Sequence, residues 1–380
     1  MDSSSSQSSI AEVSPRKLDG LEALRGVAAV VVLLHHAFGS LELPQNFNTR
    51  LVWGFFEEGN LGVNIFFVLS GFVIAWSNPK DGRTFRDVIV YVLRRLSRVF
   101  PMYWVACLFI LPVYWKFAPA SLGEASAGRM LHDFFLLPYG ETPMLQVAWT
   151  LVFEIMFYLL FVPMLLSHRA AAVMWTMLVA AILVCAAAGV KFDNLWAGHL
   201  FSLYVLQFVA GMVVCRWTMR HPLSPKAARR TAWAGGILIF LAAAGERITG
   251  GDWVPANLHY AAFAAIAVLG IVNLPDGIPP GRGRAWRILR ILGRYSFSIY
   301  LFHVPVQKIV IKVAVNVLGM EPGLPMVWVV ALVSIAVSLT VGILMGRFFE
   351  MPMLEWCKKQ ISRLKPRKPV PAQPAAAPVA

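Results

Sequence analysis

Apolar stretches recur along the chain at 20–38, 60–77, 100–116, 145–166, 171–189, 197–215, 231–245, 258–274, 295–317 and 325–348, ten in all. Each is long enough, or nearly so, to cross a hydrocarbon core of about 30 Å. The seventh, 231–245, is the shortest and carries the least weight. Short polar segments separate them, and none is long enough to fold as a second domain. The pattern predicts an all-α, polytopic integral membrane protein with about ten transmembrane helices. Residues 1–15 are Ser-rich and read as a disordered tail. The membrane domain then runs over 16–357, and 358–380 reads as a basic, then Pro/Ala-rich tail.

Composition agrees: 58% of residues are hydrophobic and 14% charged, where soluble domains carry about a quarter charged. Placing the N-terminus in the cytoplasm puts 25 of the 34 Lys and Arg residues on inner segments and five on outer ones. That alternation predicts both termini inside. It also accounts for the net charge of +14 without nucleic acid. The first stretch does not read as a cleaved signal peptide, because Arg25 and two histidines interrupt it and no small-x-small site follows. The four cysteines are widely spaced, with neither a disulfide framework nor metal-ligand spacing. No internal repeat marks the inverted halves of a transporter.

Ionisable residues inside apolar stretches are costly and face a protein interior or a wet cavity. Arg25 and His36 lie 11 positions apart in Leu21–Phe38, which on a helix is one face and roughly 16 Å of axis. The same pair also suits helix-end residues reaching headgroups. Asn64 sits in GVNIFFVLSGF between Gly62 and Gly71. Arg95 and Arg98, in RRLSRVFPMYW, share a helical face just before Pro101, where the third span is expected to start. With Lys80, Arg83, Arg86 and Arg94 they make a cytoplasmic basic patch suited to phosphates, or to anionic lipid. Glu154 lies mid-span in WTLVFEIMFYLLFVP, with Tyr158 one turn on. A further polar run, YSFSIYLFHVP, holds Ser296, Ser298, Tyr300, His303 and Pro305, and RFFEMP pairs Arg347 with Glu350 at i,i+3. Metal clusters, phosphate-cradling glycine loops and GxSxG elbows have no counterpart in the sequence.

In this order these segments, with LRGVAAVVVLLHH at the start, resemble the membrane-bound acyltransferase 3 family from about Leu18 to Glu355. Members O-acylate sugars of lipopolysaccharide, exopolysaccharide, Nod factors, glucans and some macrolides. The resemblance implies that His36 is the catalytic histidine, with Arg25 the basic residue that precedes it. Arg95 and Arg98 match the Arg-x-x-Arg pair near the acyl-CoA donor. Glu154 matches the family's acidic residue, and Ser298, His303 and Pro305 its Ser-x-Tyr-Leu-x-His-x-Pro stretch. Asn64 stands where many relatives have aspartate, and Thr150 where serine is usual. Without a counterpart of the C-terminal esterase-like domain of larger relatives, the one membrane domain is expected to carry the whole reaction.

The expected function is transfer of an acyl group, most simply acetyl, from acyl-CoA to a hydroxyl of a carbohydrate or glycolipid, in the inner membrane of a bacterium. No bound cofactor or metal is expected, since acyl-CoA is a substrate. His36 serves as base, Glu154 orients it if their spans meet, and Arg25 holds the donor or the developing oxyanion. Asn64, Tyr158, Ser298 and His303 are polar candidates for substrate contact or structure. Two other classes fit the pattern: a proton-coupled transporter relaying through His36 and Glu154, and a membrane component of a glycan-export complex.

Overall fold

Helices account for all the regular structure among the described residues. A computed structural model describes residues 15–44, 46–49, 60–79, 81–117, 127–138, 140, 143–249, 258–274, 283–320 and 323–364. The Ser-rich tail up to Ser14 and the Pro/Ala-rich end from Lys365 lie outside them. Every predicted apolar stretch overlaps a helix. The helices are α1 (Pro15–Glu42), α2 (Asn60–Ser77), α3 (Phe85–Phe117), α4 (Ala127–Phe135), α5 (Trp149–Leu160), α6 (Val162–Leu166), α7 (His168–Ala187) and α8 (Leu195–Leu200). They continue with α9 (Tyr204–Arg220), α10 (Pro225–Thr249), α11 (Leu258–Val272), α12 (Arg284–Arg294), α13 (Ser296–Lys312), α14 (Leu324–Met345) and α15 (Met351–Ser362). Among the described residues, six helical segments are long and apolar enough to cross a membrane, and α2 and α11 are shorter apolar helices.

Two elements differ from expectation. α3 begins at Phe85, not near Pro101, and carries Pro101 and Pro112 inside it. A capping box explains the early start: the Thr84 hydroxyl donates to Asp87 Oδ2 at 2.7 Å, and the Asp87 amide donates back to Thr84 Oγ1 at 3.3 Å. About fifteen residues of amphipathic helix thereby precede the apolar half, and they carry Arg95 and Arg98. At the other end, helix continues past the last predicted apolar stretch, with α15 ending at Ser362.

Close packing is set by small residues, as in most membrane bundles. α2 and α9 meet at Gly71 and Gly211. A Cβ at Gly71 would stand 2.0 Å from the Phe208 carbonyl oxygen, and one at Gly211 would stand 2.0 Å from that of Val68. Gly62 gives α2 the same intimacy with α1, against the Ala28 carbonyl and the Val32 side chain. Around that contact α1, α2, α3, α5 and α13 converge, and the largest buried cluster, with Tyr103, Phe157, Phe161, Phe208 and Phe302, fills the space behind them.

Candidate active site

The convergence encloses a cavity of about 100 Å³. α1 supplies Arg25, α3 supplies Arg95 and Arg98, α5 supplies Thr150, Glu154 and Tyr158, and α13 supplies Ser296 and Tyr300. Apolar walls come from α2, among them Phe66, Phe67, Val73 and Ile74. Five helices thus bring three guanidinium groups, one carboxylate and several hydroxyls into a space whose remaining walls are apolar.

A second, wider cavity of about 560 Å³ adjoins it. Arg95 and Arg98 line both. The wider one also takes Arg83 from the segment before α3, Arg94 from α3 and Lys358 from α15. Sequence reading missed Lys358, because a lysine at the start of a basic tail looks like ordinary interfacial charge.

Arg95 is held in place. Its Nη2 donates to Ser77 Oγ at 2.8 Å, and its guanidinium lies 5.5 Å from the Tyr91 ring centroid and 5.7 Å from that of Tyr158. Tyr91 in turn donates to the Tyr158 carbonyl at 3.2 Å. Arg25 and Arg98 differ. Neither makes a hydrogen bond or a close ion pair among the described residues, although Glu154 and Glu350 stand in electrostatic range of Arg25. A guanidinium offers five N–H donors, so two such groups facing a cavity are an anion site in waiting.

Glu154 accepts a hydrogen bond from the Tyr158 hydroxyl, one turn along α5, as its spacing implied. Its expected partnership with His36 does not form. His36 Nδ1 instead bonds the Val32 carbonyl at 3.0 Å and faces His303 Nε2 at 3.3 Å. The two imidazoles are 5.0 Å apart, and the Tyr300 ring on the cavity wall is 5.8 Å from that of His303. Arg25 and His36 therefore share α1 but not a chamber: Arg25 lines the cavity, and His36 lies beyond Tyr300.

The remaining polar candidates are structural or unspent. Ser298 is fully buried and donates to Glu350 Oε2 at 2.5 Å. This corrects the Arg347–Glu350 pair: a run of π-helix, Gly346–Glu350, turns Glu350 inward, and Arg347 lies over the Phe348 ring at 5.6 Å. Asn64 is fully buried with both amide atoms unpaired, and Ser296 is fully buried with its hydroxyl unpaired on the cavity wall.

Comparison with known proteins adds to this geometry. Residues 18–347 match a family profile described as an acyltransferase domain, Acyl_transf_3. The chain is 28% identical over 315 residues to the exopolysaccharide production protein ExoZ of Rhizobium meliloti (strain 1021), covering 79% of this chain and 90% of that protein. It is 27% identical over 391 residues to the acyltransferase MdmB of Streptomyces mycarofaciens, covering 92% of this chain and 94% of that protein. No solved structure matches it.

Proposed function

From the premise that this chain belongs to the acyltransferase 3 family and is a membrane-bound O-acyltransferase, we propose that it moves an acetyl group from acetyl-CoA to a carbohydrate hydroxyl. The two unpaired guanidinium groups of Arg25 and Arg98, in a cavity that shares Arg98 with a basic vestibule, carry this reading. A nucleotide-bearing thioester needs phosphate donors at a wet mouth and a narrower passage for its arm. The names of ExoZ and MdmB point to a polysaccharide or macrolide acceptor. The distribution of Lys and Arg supports ten spans, with both termini in the cytoplasm of a bacterium and the vestibule at that face.

In this arrangement the phosphates of CoA lie against Arg83, Arg94, Arg95, Arg98 and Lys358. The pantetheine arm passes Arg25 and Glu154, and the thioester stands at the inner end, below Tyr300. The acceptor hydroxyl arrives from the opposite side, where His36 is the base. As its oxygen bonds to the thioester carbon, its proton passes to His36. The carbon–sulfur bond then breaks, and the thiolate takes the proton as it leaves. A positioned imidazole contributes about 10²–10⁴-fold to such a step.

The test is release of free CoA by purified protein given acetyl-CoA, with and without a crude glycan-lipid extract, beside His36→Ala. Release that requires both the extract and His36 is the expected result. Solute flux driven by a proton gradient, with no use of acyl-CoA, would favour transport instead.

A further inference from the structure

His303 is fully buried on α13, one turn beyond Tyr300, and has no place in the transfer described above. Its two nitrogens have different partners. Nδ1 lies 3.2 Å from the Ile299 carbonyl, and Nε2 lies 3.3 Å from His36 Nδ1. A carbonyl only accepts, so the proton of neutral His303 is on Nδ1 and the lone pair on Nε2. The same reasoning applies to His36, whose Nδ1 lies 3.0 Å from the Val32 carbonyl. Its Nδ1 therefore carries a proton, shared between that carbonyl and the lone pair of His303. The reverse arrangement would point two nitrogen lone pairs at two carbonyl oxygens. What remains is His36 Nε2, which makes no hydrogen bond among the described residues, on a side chain that is only partly buried.

We infer that His303 is a positioning residue: it fixes His36 in the Nδ1–H tautomer, so that the free Nε2 faces the acceptor hydroxyl as base. This rests on the acyl transfer proposed above. The tautomer of an imidazole is set by the bond its other nitrogen makes, and here that bond is shared between the Val32 carbonyl and a second imidazole whose own tautomer is set by the backbone. The geometry is braced one turn further along α13, where Gln307 Nε2 donates to the Leu33 carbonyl at 3.0 Å and ties α13 to α1.

Three variants test the assignment with acetyl-CoA and the glycan-lipid extract. His303→Leu removes one of the two acceptors of the Nδ1 proton and is expected to lower kcat by about 10²–10³-fold, less than the ~10⁴-fold of an imidazole base held wholly in the wrong tautomer, because the Val32 carbonyl remains. The KM for acetyl-CoA should stay within about threefold, because the donor site is untouched. His303→Gln offers a carbonyl oxygen to His36 Nδ1 and should recover at least about tenfold of that loss. Adding His303→Leu to His36→Ala should cost little more than His36→Ala alone, since residues acting as a unit are not additive. Activity of His303→Leu near that of the wild type, or no recovery in a folded His303→Gln, would overturn the inference. Should His303→Leu not fold, ¹⁵N shifts of the wild-type imidazoles decide, with His36 assigned by its loss in His36→Gln. A protonated Nδ1 with an unprotonated Nε2 supports the assignment, and the opposite pattern overturns it. Wild-type turnover that does not depend on His36 would instead remove the base on which the inference rests.

Discussion

The hydroxyls of Tyr300 and Thr150 lie 2.7 Å apart, and both also reach the Val147 carbonyl, at 3.1 and 2.9 Å. These three oxygens join α13 to the start of α5 at the inner end of the cavity, between Arg25 and the histidine pair. Tyr300→Phe removes one of them and should cost about 0.5–1.5 kcal/mol of stability, read as a lower Tm in detergent. Thr150→Ser keeps all three and should leave Tm and turnover near the wild type. A Tyr300→Phe protein as stable as the wild type would contradict the bonding described.

Arg98 lines both cavities and spends none of its donors on the described residues. Arg98→Lys keeps the charge and loses the planar fork, which is not a conservative change at a phosphate site. The KM for acyl-CoA should rise about tenfold, the value of one charge-assisted hydrogen bond of about 1.5 kcal/mol, while kcat changes little. Initial rates across an acyl-CoA titration separate the two. An unchanged KM would remove Arg98 from the donor site.

Gly71 and Gly211 set the distance between α2 and α9, and through α2 the position of the cavity's apolar wall. Either glycine changed to Val drives a side chain into backbone, not into a flexible neighbour. The cost should reach or exceed about 1–3 kcal/mol, seen as low yield of monodisperse protein. Gly236→Ala is the control, because a Cβ there meets nothing within 4 Å, and it should behave as the wild type.

Asp81, in the loop after α2, accepts a hydrogen bond at 2.8 Å from the His168 amide at the start of α7. That bond holds its carboxyl below the ordinary carboxylate range. A depressed folded-state value means that the contribution is present above the ordinary Asp value of about 4 and disappears as the pH falls through the depressed one. The Tm of Asp81→Asn should therefore fall below that of the wild type at pH 7 and converge with it on acidification. A gap that persists below pH 3 would assign the effect to something other than the charge.

The local signals and the tertiary ones part company at Arg25 and His36. Their spacing correctly puts both on one apolar helix, but a shared stripe does not say which neighbour fills the space along it. Phe66 and Tyr300 pack between the two levels, and His303, more than 260 positions away in sequence, captures His36. Glu154 shows the same limit. Its bond to Tyr158 is an i,i+4 relation and legible in the sequence, whereas its separation from His36 depends on how α2 and α13 pack on α1. The start of α3 is legible in a local signal, since Thr84 and Asp87 form a capping box, but the apolar pattern that marks spans does not register it. Glu350 was read from its own helix as a partner of Arg347. The π-helical run, which periodicity does not reveal, turns it toward Ser298 instead.

The sequence by itself determined that the chain is helical and belongs in a membrane. Burying some 18 residues of backbone in hydrocarbon leaves few alternatives to a helix, and an apolar run declares itself locally. It also determined the resemblance to its family, since the motifs occur in order along the chain. Only the tertiary structure decided which charged groups share a cavity, which arginines remain unpaired, and which partner holds His36. Those are contacts between helices distant in the chain, fixed by where Gly62, Gly71 and Gly211 allow backbones to touch, and no periodicity within one helix encodes them.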